Sequence, residues 1–489
     1  MPLWLRRTTT ALSVALLCGC VVQPVELSDE EVTSRVRRDI DMIDRWSEPA
    51  TAPISLAEAM ARALKYNLDY RLEWSKRVLA QTELEVSHYD LLPDLIASIR
   101  TDHRNNFSGS SSRSLTTGRQ SLETSTSQDR DILTTDLELS WNVLDFGLSY
   151  YRARQSANEV LIASEEKRKV IHRLLQNVRT AYWRSVTAHR LSQRLTALRS
   201  DVDAALGRNK GILDRRLDSP LTALTFRREL IDIRRQLQEL EENFRIAKIQ
   251  LASLMNFRNP DDFEIVIPGP QPPPTLNYTT EQLEELALRL RPELRQVDYR
   301  RRIATDSARS SLIELLPAPR ISVSGNWNDN SFLFNNNWLV AGAQVTWNLV
   351  RLLRYPALKK KALAEEQLLD ARSLTLSMAI LTQVRVSVAQ YLHSQSQLAT
   401  HSEYQQTQQR IDTQVARMLS AKSIGRQARI REGMNTLLSE VRYDVASANV
   451  QSAFANVFMA SGLDPSIPAP ETLSLKQIIN LLEENWPTF

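Results

Sequence analysis

The chain has 489 residues, 12 glycines, 2 cysteines and 6 histidines, with a formal net charge of +4. So few glycines, set among abundant Leu, Ala, Arg, Gln and Glu, suit long helices and not a doubly wound α/β enzyme. The charge is too small to argue for nucleic acid, and the only two cysteines, Cys18 and Cys20, have no partners elsewhere for a disulfide framework.

Arg6 and Arg7 precede an apolar run, Ala11–Leu17, that is too short to span a membrane and reads as the middle of a secretory signal. Leu17-Cys18-Gly19-Cys20 resembles a bacterial lipobox, which implies cleavage after Gly19 and acylation of Cys20. Residues 1–19 are therefore expected to be a signal peptide and 20–54 a lipidated N-terminal segment. No later apolar run is long enough for a transmembrane helix.

A first helix is expected from Ser55-Leu56-Ala57-Glu58, a capping-box pattern ahead of Leu56, Ala59, Met60, Ala63 and Leu64. Asn67-Leu68-Asp69-Tyr70-Arg71 leads to Leu91-Leu92-Pro93, where proline stops a helix. Arg291-Pro292-Glu293-Leu294-Arg295 leads to Leu315-Leu316-Pro317 at the same spacing. Farther on, Trp141-Asn142-Val143 recurs as Trp347-Asn348-Leu349, so one unit is written twice. The first unit is assigned to 55–258, the second to 277–463. Between them lies a Pro-rich linker, 259–276, and 464–489 form a C-terminal equatorial segment.

Behind each Leu-Leu-Pro the sequence takes period two. Leu137, Leu139, Trp141 and Val143 alternate with Asp136, Glu138, Ser140 and Asn142; Ala341, Ala343, Val345, Trp347 and Leu349 alternate with Gly342, Gln344, Thr346 and Asn348. Strands are expected at about 94–104, 134–145, 319–328 and 339–349, each with one apolar and one polar face. The rest of the chain is helical and offers little to cover that apolar face, so the pattern suits membrane strands, with Trp141 and Trp347 at the membrane interface. Four strands cannot close a barrel with a lumen, and an open edge in lipid leaves backbone groups unpaired, so several chains must contribute. Asn105–Arg130 and Asp329–Asn337 are then the outer loops.

Helical hairpins are expected at about 148–256 and 353–462. Ala223, Phe226, Leu230, Ile233, Leu237, Leu240, Phe244, Ala247, Leu251 and Leu254 step by three and four, the seam of a coiled coil. Ala188, Leu191, Leu195, Leu198, Val202 and Ala205 continue it on the outgoing arm. The first turn falls at Arg215–Pro220, where Ser219 caps the new helix and Pro220 is its first residue. The second falls near Lys422–Gly425, with Gly425 ending the outgoing helix.

Together these residues resemble the TolC family of outer-membrane exit ducts, over roughly Ser55 to Gly462. Ile54-Ser55-Leu56-Ala57-Glu58-Ala59 looks like its opening helix, Trp141–Gly147 like its strand-to-helix junction, and Arg291-Pro292-Glu293-Leu294 like the start of its second repeat. The resemblance implies a mainly α fold with a membrane β-barrel portion. It implies a homotrimer with a twelve-strand barrel above a periplasmic α-barrel and a pore that narrows at the helix tips. It implies a passive duct in the outer membrane of a Gram-negative cell. A periplasmic adaptor joins such a duct to an inner-membrane RND or ABC-type transporter. The sequence departs from lipidated members in reading Cys20-Val21-Val22-Gln23-Pro24, and from family tips in reading Leu217-Asp218-Ser219-Pro220-Leu221.

The expected tip and gate residues are Arg215, Asp218, Ser219, Asp412, Lys422, Gly425, Arg426 and Arg429. Lys422, Arg426, Arg429 and Arg431 form a cationic cluster, with Asp412, taken to lie on the incoming arm, and Asp218 as candidate partners. No catalytic, metal or cofactor residues are expected: the histidines show no ligand spacing, and no phosphate loop or nucleophile elbow occurs. A competing reading is a coiled-coil periplasmic lipoprotein scaffold without a channel; the alternating stretches around Trp141 and Trp347 argue against it.

Overall fold

The computed structural model describes residues 24–121, 123–214, 220–269, 273–421, 425–463, 467 and 469–485. Cys20, Arg215, Asp218, Ser219 and Lys422 lie outside the described residues, as does the side chain of Arg426.

The elements in chain order are α1 (Asp29–Arg45), α2 (Leu56–Tyr66), α3 (Leu68–Tyr89), β1 (Asp94–His103), β2 (Gly109–Ser110), β3 (Ser125–Thr126), β4 (Asp131–Asn142), α4 (Val143–Asp214) and α5 (Pro220–Leu254). After them come α6 (Thr280–Leu290), α7 (Pro292–Ile313), β5 (Ala318–Asn328), β6 (Asn337–Thr346), α8 (Tyr355–Ser420), α9 (Arg426–Ala460) and α10 (Leu475–Asn485). Helix α1 falls in the segment expected only to carry a lipid. It has a reciprocal capping box, with Ser28 accepting from Glu31 N and Glu31 reaching back to Ser28 N.

Four strands make one antiparallel sheet in the order β1-β4-β5-β6, leaving β1 and β6 as free edges. The register pairs Leu95 with Leu139, Leu139 with Val323 and Val323 with Ala341, so one face is apolar across the whole sheet. Leu95, Leu139, Val323 and Val345 on that face are all exposed. Strands β4 and β6 end at Asn142 and Thr346, three residues before the expected limits. The cause is the asparagine of each Trp-Asn pair. Asn142 Oδ1 accepts from Leu144 N (3.0 Å), and Asn348 Oδ1 accepts from Val350 N (3.2 Å), which caps a helical turn and ends the strand.

Helix α4 runs 72 residues, roughly 108 Å at the α-helical rise, and α8 runs 66. Along the upper body α3, α4, α7 and α8 lie side by side; along the lower body the neighbours are α5, α4, α9 and α8. Leu191, Leu195, Leu198 and Val202 of α4 pack with Leu230 and Leu237 of α5 and with Ile430, Met434 and Leu437 of α9. The outgoing and returning arms therefore share their seam with α9.

An equatorial core gathers α2, α4, the end of α5 and α10, around Leu64, Leu175, Val178, Leu251, Met255 and Ile478. Ile54 bridges Ile265, and the Tyr182 hydroxyl donates to Val266 O at 2.8 Å. The segment expected as a linker thus begins inside the core, where Phe263 and Ile265 are buried. The Ser55 box is half formed: Ser55 accepts from Glu58 N, but the Glu58 carboxylate turns to Arg62 at 2.8 Å.

The matched pentamers mark helix breaks that are tied to the returning arms. Asn67 caps α3 and donates from Nδ2 to Leu254 O, the last residue of α5, at 3.2 Å. Arg291 stands before α7 and donates from Nη1 to Met459 O, near the end of α9, at 3.2 Å. Gly462 ends α9 at φ +72°, where a Cβ would meet Leu290 Cβ at 2.9 Å.

Candidate functional site

The polar face of the sheet carries Asp136, Glu138, Ser140, Arg320, Ser322 and Asn326. Arg320 Nη2 donates to Glu138 Oε1 at 2.8 Å and to Ser140 Oγ at 3.1 Å, so this face holds a cross-strand ion pair. Trp141 and Trp347, on the other face, stand at the ends of the strands and are 43% and 49% exposed. Trp141 meets Phe146 edge-on, while Trp347 Nε1 donates to Leu315 O at 2.9 Å. Each tryptophan packs its strand end onto the junction below it.

At the far end of the strands the two long loops are clasped together. Asn330, 6% exposed, accepts from Asp129 N at 3.0 Å and donates to Ser127 O at 3.1 Å. Ser331 Oγ donates to Asp129 Oδ1 at 3.0 Å. Phe334 is wholly exposed on the same loop.

Toward the tip, ion pairs link different helices. Arg190 on α4 meets Asp444 on α9 at 2.7 Å, Arg194 meets Glu440, and Arg199 meets Glu241 on α5 at 2.6 Å. Burial raises the pKa of Asp444 above the ordinary carboxylate value, against the pull of Arg190. Arg179 on α4 is fully enclosed, and burial lowers its pKa to about 9; its Nη1 donates to Gln451 O at 3.4 Å.

Two expected tip residues come together: Arg429 on α9 pairs with Asp412. Asp412 lies on the outgoing helix α8 and not on the incoming arm, because α8 continues to Ser420. Gly425 does not end the outgoing helix but stands at the N-cap of α9, with φ −83° and ψ 161°, an extended conformation open to any residue. Arg431, in a cluster whose only expected partners are Asp412 and Asp218, reaches Glu229 on α5 at 2.6 Å. The acids come from other helices, which spacing along one strand of sequence does not reveal. Between α4, α8 and α9 an open groove of about 440 Å³ is lined by Arg194, Asp201, Asp412, Arg429, Gly433 and Glu440.

Sequence reasoning missed one stretch. Between β6 and α8 the chain makes a 3-10 turn, Leu349–Arg354, with arginines in it and lysines after it. The run of Arg and Lys was its only signal. No cluster of potential metal ligands occurs among the described residues, and no described helix is long and apolar enough to cross a membrane.

No family model and no curated protein matches the sequence. Solved structures do. The Campylobacter jejuni CmeC outer membrane channel superposes with a TM-score of 0.64 at 13% identity, covering 89% of this chain and 90% of that one. The open state of the Neisseria gonorrhoeae MtrE outer membrane channel gives 0.61 at 15% identity, covering 84% and 89%. The outer membrane protein VceC from Vibrio cholerae gives 0.61 at 14% identity, covering 84% and 97%. With more than four fifths of this chain and about nine tenths or more of each of those channels superposed, this chain has the fold of the TolC-type outer-membrane channels.

Proposed function

We propose that three copies of this chain form an outer-membrane exit duct that passively conducts substrates out of the periplasm. One observation carries the reading: the four-stranded sheet has two unpaired edges and an apolar face, and none of the described residues covers either. Lipid suits the face, but lipid cannot satisfy the edges, so β1 must pair with β6 of a neighbour. Three copies give twelve strands, an even number in the range of bacterial barrels.

The helices make the same demand. Leu72, Leu79 and Val86 stand one heptad apart on α3 and are exposed, and Leu363, Leu374 and Met378 are exposed on α8. These are the two outer helices of the upper body, and each supplies half of a seam. The two halves of the chain, 55–258 and 277–463, are read as copies of one unit whose matched pentamers perform the same tie. Cys20 is read as an acylated anchor, the loops around Ser111 and Phe334 as extracellular, and the Arg429–Asp412 tip as the adaptor-facing gate. An adaptor would couple the duct to an RND or ABC-type transporter.

The test is reconstitution of the purified protein into planar bilayers, with disulfide scanning between β1 and β6. Discrete conductance steps and a crosslinked trimer are expected. A protein that binds vesicles through its lipid but never conducts would return the scaffold reading.

A further inference from the structure

The two strand-to-helix junctions differ. After β4 the chain enters α4 directly from Asn142 and carries Asp145 in the first turn. After β6 it first makes the six-residue 3-10 turn Leu349–Arg354. A 3-10 helix has three residues per turn, so its side chains stack in three ridges. Here they are Leu349 over Leu352, Val350 over Leu353, and Arg351 over Arg354. Two ridges are apolar and one is cationic.

Both apolar ridges face outward: Leu349, Val350 and Leu353 are 60%, 73% and 80% exposed. Arg351, Arg354, Lys359 and Lys360 are exposed as well. None of these four makes an ion pair among the described residues, whereas Lys361 reaches Glu365 at 3.4 Å. Only Trp347 and Asn348 separate the turn from β6, so it follows closely on the apolar Val345 and Trp347. If that face meets acyl chains, this turn lies at the headgroup layer on the periplasmic side.

We infer that Leu349–Arg354, with Lys359 and Lys360, is a docking surface for the anionic phospholipids of the periplasm-facing leaflet. The inference rests on the duct reading. Leu349, Val350, Leu352 and Leu353 enter the acyl boundary, and the arginines reach the phosphates. Unpaired cations at a membrane surface favour anionic over zwitterionic headgroups. Three copies repeat the turn around the base of the barrel and make a collar that grips the leaflet. The first junction, with Asp145, offers no such grip.

The experiment uses the full protein in vesicles of phosphatidylcholine containing spin-labelled phosphatidylglycerol or spin-labelled phosphatidylcholine. Protein without substitution is compared with Arg351→Gln/Arg354→Gln/Lys359→Gln/Lys360→Gln, all exposed positions. The unsubstituted trimer is expected to immobilise phosphatidylglycerol at least about fivefold in preference, and the variant to lose that preference while conducting normally. Equal preference in two conducting proteins overturns the collar and leaves the duct intact. A nitroxide on Val350→Cys that is shielded from both oxygen and aqueous nickel overturns it too, since a neighbouring copy then covers the turn. Absence of conductance from both proteins overturns the duct reading, and the collar falls with it.

Discussion

Helices α4 and α8 are nearly equal in length, similar in composition and set at matching places in their halves, yet they live in different surroundings. Helix α4 has a helix on each of two sides along its length: α3 and α7 above, α5 and α9 below. Helix α8 buries only Ile380, Val384, Ser387, Tyr391 and Gln408. It is not more polar for that, since Leu363, Leu374, Met378 and Leu392 are 50%, 71%, 65% and 57% exposed. An apolar edge helix of this length is a half-made interface. What separates the two helices is the neighbours that a single chain supplies.

The largest effect should come from the interior strut. Leu175→Ala, at a site 0% exposed, is expected to cost about 2–5 kcal/mol and lower the thermal midpoint of the folded protein. Leu374→Ala on α8 should change the stability of the separated chain by less than about 0.5 kcal/mol. It should instead weaken the oligomer, seen as loss of a heat-sensitive high-mass band in mild detergent gels. If both substitutions act on the chain alone, α8 is no edge.

Next is the point where the two halves close on each other. Arg168 donates to Leu290 O and to Gly462 O, both at 2.8 Å, while Gly462 sits against Leu290. Gly462→Ala must add a Cβ at positive φ into backbone, and is expected to cost about 2–3 kcal/mol by chemical denaturation. A neutral outcome would mean that this closure tolerates rearrangement.

A smaller effect belongs to the equator. Tyr70 donates to Glu471 at 2.6 Å, with Lys167 at 3.5 Å from the same carboxylate. Burial pushes the Glu471 pKa up, but the Tyr70 hydroxyl, the backbone and Lys167 outweigh it and hold the carboxyl below its ordinary 4.5. A depressed carboxyl stabilises fully above its unfolded pKa, and that stability is lost as pH falls through the folded value. Tyr70→Phe should therefore cost about 1–3 kcal/mol at neutral pH, and less on acidification. Asp444, with its raised pKa, has the opposite sign: its charge is a burden that protonation relieves. As pH falls, melting curves of Tyr70→Phe and Asp444→Asn should converge on that of the unsubstituted protein from opposite sides, the first from below and the second from above.

The smallest effect is at the tip. Arg431→Gln removes the link to Glu229 between partly exposed side chains and should change stability by less than about 1 kcal/mol. Because that link joins α9 to α5, single-channel conductance is the sharper readout. Unchanged conductance would place Arg431 outside the gate.

Much of the fold was legible because its signals are periodic. The seam from Ala223 to Leu254 and the alternation through Leu137, Leu139 and Trp141 each state a geometry directly. The Trp-Asn pairs were legible as markers but not as caps, since a strand that ends in an asparagine reads like any other strand. The tip was less legible for a different reason. Asp412, Glu229, Glu440 and Asp444 lie on other helices than the arginines they meet, and spacing within one helix says nothing about its neighbours. The 3-10 turn was hidden because Leu349-Val350-Arg351-Leu352-Leu353-Arg354 matches neither a two-residue nor a 3.6-residue period.

The free edges of the sheet have a consequence for biogenesis. A lone chain holds β1 and β6 with their ladders open and an apolar face beside them, a template for wrong pairing. It cannot enter the bilayer early, since each open edge would carry its unpaired groups into hydrocarbon. The body, however, has its own equatorial core and seams and can fold before the sheet is closed. For the proposed three-copy duct, assembly is thus ordered by the chemistry of the edges: helices first, three chains second, membrane last.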